Sequence, residues 1–329
     1  MSRLSAVELR RLFSRRLVVL AMIAALAVAG LIALVTWNAV QPMSPAEIDR
    51  AETYYQEELD YWERYGDQQV ADCLEQEALE AERTGEEYDF GCESMEPQRE
   101  WYFPTSPPLD QTLPGLLLGI SVLLAFIALV VGTTFTAAEF STGAMSNWLT
   151  FEPRRLRVHA SKVVAAAVGV VPVTLVVLGI VIGGAWVAHD SQGLTDGMTS
   201  PVWSDTAWTA ARIVGLATIG ALVGAALGFL LRHTAAVLGL VIGYGVVVES
   251  TLMGLLPHLS PWTARTNLAG WIEDGTTYYT YDCVTEAMGT TCDMTEHVVS
   301  FGHSATYLLV ITALAVIGSA LVFRRRDVG

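Results

Sequence analysis

Two ionisable side chains stand where an ionised group is costly. Arg212 lies five residues into an apolar run, 207–231, and Glu249 lies seven residues before the end of the next run, 235–256. A lone charge at the centre of a hydrocarbon-embedded helix costs about 2.5 to 3.5 kcal/mol on insertion scales, so such groups pair, face a wet cavity or reach for the surface. At 1.5 Å of rise per residue, the two positions fall about 8 and about 10 Å from the same membrane edge. Only Arg232, His233 and Thr234 join the two runs. Matched depth and a tight connection predict that Arg212 and Glu249 form an intramembrane pair, acting as a gate or as part of a substrate pathway. The alternative has Arg212 snorkelling outward and Glu249 facing a wet cavity.

Other catalytic patterns are missing from the sequence. Lys162 is the single lysine and is preceded by Val158-His159-Ala160-Ser161, so no G-x4-G-K-[ST] phosphate loop exists. There is no H-E-x-x-H motif, no G-x-S-x-G elbow and no D-x-D-x-D-G calcium loop. His297 and His303 read as residues near a membrane boundary rather than as ligands. The expectation is a chain without an enzymatic site or a metal of its own.

The elements that carry these residues are six apolar runs: 17–37, 113–135, 163–187, 207–231, 235–256 and 305–323. Each is near the ~20 residues a helix needs to cross ~30 Å of hydrocarbon. Basic residues alternate from side to side. Arg3, Arg10, Arg11, Arg15 and Arg16, then Arg154, Arg155, Arg157 and Lys162, then Arg232, then Arg324, Arg325 and Arg326 make 13 of the 19 Lys and Arg. Their connectors are predicted cytoplasmic, with both termini inside and an even number of spans. Segment 1–16 reads as an amphipathic elbow before the first span or as a plain basic flank. The apolar core of that span is longer than a signal peptide's, which favours an uncleaved helix. Segment 136–162 is an inner loop and 324–329 an inner tail. Segments 38–112, 188–206 and 257–304 are outer.

The fold class expected is therefore all-α: six membrane helices plus an outer helical hairpin. The formal net charge of −15 comes almost wholly from 38–112, which holds 20 Asp and Glu against four Arg. A face so acidic repels nucleic acid; its carboxylates read as a solvated surface or as a site for cations. Ser44-Pro45-Ala46-Glu47 supplies a helix start, Gly66 reads as the end of a first helix, and Thr84-Gly85 as the end of a second. Cys73 and Cys92 lie in this segment, Cys283 and Cys292 in 257–304, and no cysteine lies elsewhere. Cysteines confined to the outer side predict disulfides, with pairing inside each connector preferred over the two crossed pairings.

The inner loop runs Glu139-Phe-Ser-Thr-Gly143-Ala-Met-Ser-Asn-Trp148-Leu-Thr-Phe-Glu-Pro153-Arg154-Arg155-Leu-Arg157 and ends at Lys162. With the hairpin GALVGAALGFLLRHTAAVLGL and the run VVVESTLMGLLPHLSPWTARTNLAG, it resembles the ABC type-2 permease family. That resemblance implies a permease subunit of an ATP-driven transporter, usually an exporter, in a bacterial cell membrane. It implies a dimer with a second copy or a homologous permease, and separate ATPase subunits that hold ATP and Mg. It also implies that 136–162 contains the coupling helix, and that 257–304 includes an outer re-entrant region. Trp148, Leu149 and Phe151 would be apolar anchors and Arg154, Arg155 and Arg157 a charged rim, with Glu139, Gly143 and Lys162 framing the loop; the alternative for this segment is an interfacial helix that touches lipid headgroups. The acidic insertion departs from the shortest members and leaves the substrate open. The alternative is a membrane sensor or assembly scaffold with an acidic outer ligand-binding domain. Eighteen Arg to one Lys suggests a GC-rich bacterial genome.

Overall fold

The computed structural model describes residues 2–85, 89–286 and 289–326. In chain order the helices are α1 (Ser2–Ser14), α2 (Arg16–Ala39), α3 (Pro45–Thr84), α4 (Arg99–Tyr102), α5 (Leu109–Ser141), α6 (Ala144–Phe151), α7 (Arg155–Asp190), α8 (Ser200–Leu231) and α9 (Thr234–Tyr244). A π-helical stretch, Gly245–Leu252, continues α9. The short α10 (Met253–Leu255), a 3-10 turn (Pro257–Trp262) and α11 (Ala264–Ile272) follow. Strands β1 (Gly275–Glu286) and β2 (Gly289–Ser300) pair as a two-stranded sheet before α12 (Phe301–Arg325).

Among the described residues, six helices are long and apolar enough to cross a membrane, matching the six expected runs. They make the chain a multi-pass membrane protein. Three of them, α5, α7 and α8, extend to 33, 36 and 32 residues. α7 is continuous through Pro172.

Two compact units account for the chain. One comprises Met1–Asn38, Pro108–Tyr279 and Glu296–Gly329; the other comprises Ala39–Pro107 and Thr280–Thr295. In the first unit the centre is the seam between α5 and α8. Gly220 and Gly224 of α8 lie so close to α5 that a Cβ on either would press into the carbonyl oxygens of Ala125 and Leu129. Gly132 of α5 reciprocates against Ala221 and Ala225. Backbones this close bring side-chain hydroxyls within reach of the opposite helix: Thr133 donates to Gly224 O at 3.1 Å and Thr136 to Ala225 O at 3.1 Å. Small residues at four-residue spacing thus serve packing within one chain. The glycines of α9 behave otherwise, since Gly239 and Gly243 have open space around them and only 6% of that span is buried.

The second unit corrects the expected helical hairpin. Gly66 does not end a helix; α3 runs unbroken for 40 residues. The Trp62 indole lies directly over Gly66, one turn on, where a Cβ would meet the ring at 2.7 Å. Glycine there makes room for tryptophan, and the apolar contact offsets its poor helix propensity. Both outer boundaries hold: Ser44 and Glu47 form the capping box, and Gly85 closes the helix at φ 77°. The return segment is mostly irregular. It is held by the Cys73–Cys92 disulfide, by Arg99 Nη2 on Glu52 Oε2 at 2.9 Å and by the Tyr55–Tyr102 ring contact at 5.3 Å.

A second correction concerns 257–304, where the all-α expectation misses the β1–β2 hairpin, bridged by Cys283–Cys292. Its sequence is rich in Thr, Tyr and Val, the residue types that suit a pleated strand. Both disulfides follow the preferred pairing.

Two predictions follow from this packing. Gly224→Ala places a methyl against Leu129 O and should cost about 1–3 kcal/mol in thermal unfolding, whereas Gly239→Ala should stay within about 0.5 kcal/mol. In the second unit, Arg99 heads the interactions that hold Glu52 below its ordinary value of 4.5. A depressed carboxylate stabilises the fold above the unfolded value and loses that contribution as pH falls through the folded one. Protection of 95–104 against hydrogen exchange, relative to the intrinsic rate at each pH, should therefore fall on acidification through that range, and Glu52→Gln should abolish that fall.

Candidate functional site

The four basic segments meet at one end of the first unit. Arg15, at the junction of α1 and α2, reaches α5; Arg155 at the start of α7 donates to the carbonyls of Phe323 and Arg326. Arg326 in turn donates to Leu230 O at the end of α8. At this end lies a buried ionic cluster. Lys162 of α7 has no exposed side-chain surface, and its Nζ sits 2.9 Å from Glu8 Oε2 of α1 and 2.7 Å from Glu139 Oε2 of α5. The other oxygen of Glu139 takes Arg15 Nη2 at 2.7 Å, and Arg11 Nη1 stands 3.8 Å from Glu8 Oε1. The ring of Phe135 closes the cluster, with Lys162 Nζ 4.8 Å and the Arg15 guanidinium 5.5 Å from its centre. Two buried carboxylates face one buried ammonium and one partly buried guanidinium, so the charges balance.

α1 is therefore more than an interfacial flank. Glu8 and Leu12 are fully buried, and Leu12 packs onto Gly169 of α7, where a Cβ would collide with it. Glu8 and Arg15 are functional candidates that sequence reasoning passed over. The available signal was a lone glutamate among the five arginines of 1–16.

The residues expected to form a docking knob divide in two. Gly143 takes φ 69° and turns the chain into α6. Met145 is fully buried, and Trp148 and Leu149 pack against the core, with the Arg11 guanidinium 4.2 Å from the Trp148 ring centre. Phe151 alone of the three expected anchors faces outward, 83% exposed. Arg154 is exposed beside it; Arg155 is spent on helix ends; Glu139 and Lys162 point inward. The structure thus builds a knob clamped from behind by charge and tryptophan, with a small outward face.

At the opposite end the expected Arg212–Glu249 pair is corrected. Arg212 Nη2 pairs with Asp274 Oδ2 at 2.9 Å, Nη1 donates to Ile272 O at 3.3 Å, and Trp271 Nε1 donates back to Arg212 O at 2.8 Å. Glu249 lies on the π-helical stretch and accepts from the amides of Ala264 at 2.8 Å and Arg265 at 3.3 Å. Those amides open α11, and a carboxylate at a helix N-terminus meets both unsatisfied N–H groups and the positive end of the dipole. Each charge found its counterpart in the connector that folds back between β1 and α9, which the depth comparison left out. Asp274-Gly275 was the missed signal, a turn pair directly after an apolar helix; Asp274 takes φ 67° there.

Removing one partner of a buried cluster strands the others. Lys162→Met should cost about 3–5 kcal/mol, read as thermal unfolding in mild detergent. Glu8→Leu combined with Lys162→Met should recover most of it, because Glu139 retains Arg15. A double variant no better than the sum of the singles would break this assignment. No family model matches this chain, and neither a curated protein nor a solved structure matches it.

Proposed function

We propose that this chain is the membrane subunit of an ATP-driven transporter, an exporter by resemblance, with its basic end cytoplasmic. ATP would be bound and hydrolysed by a separate ATPase subunit, and a second copy or homologous permease would complete the path. The observation that carries the reading is the construction of α6. A docking element must be exposed enough to be gripped and stiff enough to transmit force. Phe151 and Arg154 supply an outward face, while Met145 and Trp148 seat α6 in the core and on Arg11 of α1, beside the Glu8–Lys162–Glu139–Arg15 cluster that joins α1, α5 and α7. A push on α6 would then reach α5 and α7 directly, and α8 through the glycine seam.

The gathering of basic residues at one end supports the cytoplasmic assignment of that end. The disulfides in 38–112 and 257–304 support an oxidising environment for those two segments. The chemistry of transport would belong to the path and the ATPase.

The test is purification of the tagged chain from native membranes. A co-purifying ATPase with vanadate-sensitive hydrolysis is expected. Phe151→Asp should weaken its retention by about 2 kcal/mol or more, about thirtyfold in affinity, while leaving the chain's thermal unfolding unchanged. A chain that carries no ATPase across several detergents would favour the sensor or scaffold reading.

A further inference from the structure

The face between α7 and α12 carries a feature that ATPase docking does not use. A groove of 540 Å³ opens there, within the 300–1,000 Å³ of small-ligand sites. Leu156, Val163 and Val164 form one wall, Ile317, Ala320 and Leu321 the other, and Leu222 of α8 contributes to the floor. His159, also in the floor, is buried and satisfied, its Nε2 lying 2.9 Å from Ser319 Oγ. The lining therefore offers a ligand an apolar surface and no unmet polar demand.

We propose that this groove binds one acyl chain of an anionic phospholipid from the leaflet on the basic side. The inference rests on the chain spanning a membrane and not on its being a transporter. Three observations point to that occupant. The α7 wall spans positions 156 to 164, about 12 Å along the helix, against ~15 Å for half of a ~30 Å hydrocarbon core. Its mouth coincides with the helix ends that bear arginine. Arg155 ties the start of α7 to the last turn of α12 through the carbonyls of Phe323 and Arg326, which holds the mouth in shape.

Charge then selects the headgroup. Arg324 and Arg325 are exposed and have no ion-pair partner among the described residues, and Arg154, next to Arg155 in the chain, is exposed as well. Glu152, the acid nearest Arg154, is already engaged by Arg157 at 3.5 Å, and Asp327, which follows Arg326 in the sequence, lies outside the described residues. Forked guanidiniums suit phosphate oxygens. A second copy of the chain is a poorer occupant, since a symmetric contact here would bring two sets of arginines together.

The test uses the full-length chain, purified in detergent and stripped of lipid, then offered phosphatidylglycerol or phosphatidylcholine with identical acyl chains. Retained lipid is counted by native mass spectrometry alongside the thermal unfolding midpoint. The unmodified chain should retain phosphatidylglycerol preferentially and unfold at a higher temperature with it. Each arginine near an anionic headgroup contributes about a fivefold preference, so Arg324→Gln with Arg325→Gln should lower the selectivity about twenty-fivefold. Phosphatidylcholine retention should be unchanged in that variant. Ala320→Phe fills the groove and should abolish retention of both lipids. If that variant fails to fold, the exposed arginine pair still carries the test. Equal retention of the two lipids by the unmodified chain would overturn the proposal, as would unchanged retention in the variants. So would disulfide cross-linking of Leu321→Cys between copies in native membranes, which would assign the face to a second chain.

Discussion

An ammonium with no exposed surface must be neutralised where it stands, and Lys162 recruits the chain around that requirement. Desolvation costs several kcal/mol per ion, and only close, well-directed counter-charges repay it. Glu139 comes from α5, Glu8 from the N-terminal helix α1, and Arg15 pairs with the other oxygen of Glu139. Three segments far apart in sequence are thereby held in one register. An apolar cluster could stabilise the same junction as well, but it would tolerate sliding; a two-carboxylate socket for one lysine does not.

That register is passed along the bundle by close packing. α5 leaves the cluster at Glu139, and within two turns it meets α8 through Thr136, Thr133 and Gly132. Glycine at the contact allows hydroxyl-to-carbonyl hydrogen bonds between helices, which are available only when backbones nearly touch. Between lipid-facing helices no hydrophobic drive favours association, so shape and hydrogen bonding must supply it. This is why the seam is built from Gly, Ala and Thr and not from Leu.

The six spans were legible because length and hydropathy are dictated by bilayer thickness, and the ends of α3 because capping chemistry is local: Ser44, Glu47 and Gly85 each act on their own turn. Gly66 misled because its meaning depends on Trp62, one turn earlier, covering it. The β-hairpin was missed because membrane-protein expectations overrode a strand composition visible in 275–300. Arg212 and Glu249 misled for a physical reason of the same kind. Depth along two helices was compared, while the connector that packs alongside them supplied Asp274 and the α11 amides. Local signals were readable; tertiary partners were not, and the charge cluster at Lys162 is made wholly of tertiary partners.

The two ends also differ in what they permit. At the basic end, ion pairs and the glycine seam fix α1, α5, α7 and α8 together, so relative motion there means breaking several interactions at once. At the far end α9 passes into a π-helical stretch whose hydroxyls, Ser250 and Thr251, bond carbonyls five residues back. A π-turn changes the phase of a helix, and the adjoining α9 has few neighbours to resist that change. Its tethers lie on the first amides of α11, where Glu249 accepts from Ala264 and Arg265 and the Tyr244 hydroxyl accepts from Ala264. A bundle with one rigid seam and one loosely held helix moves most cheaply by shifting the loose helix against the seam. The polar contacts placed where that shift would be felt, Glu249 on the α11 amides and Arg212 with Asp274, Ile272 and Trp271, are not a buried three-helix socket. The costly interactions therefore preserve the bundle, while the inexpensive ones lie where the bundle can change.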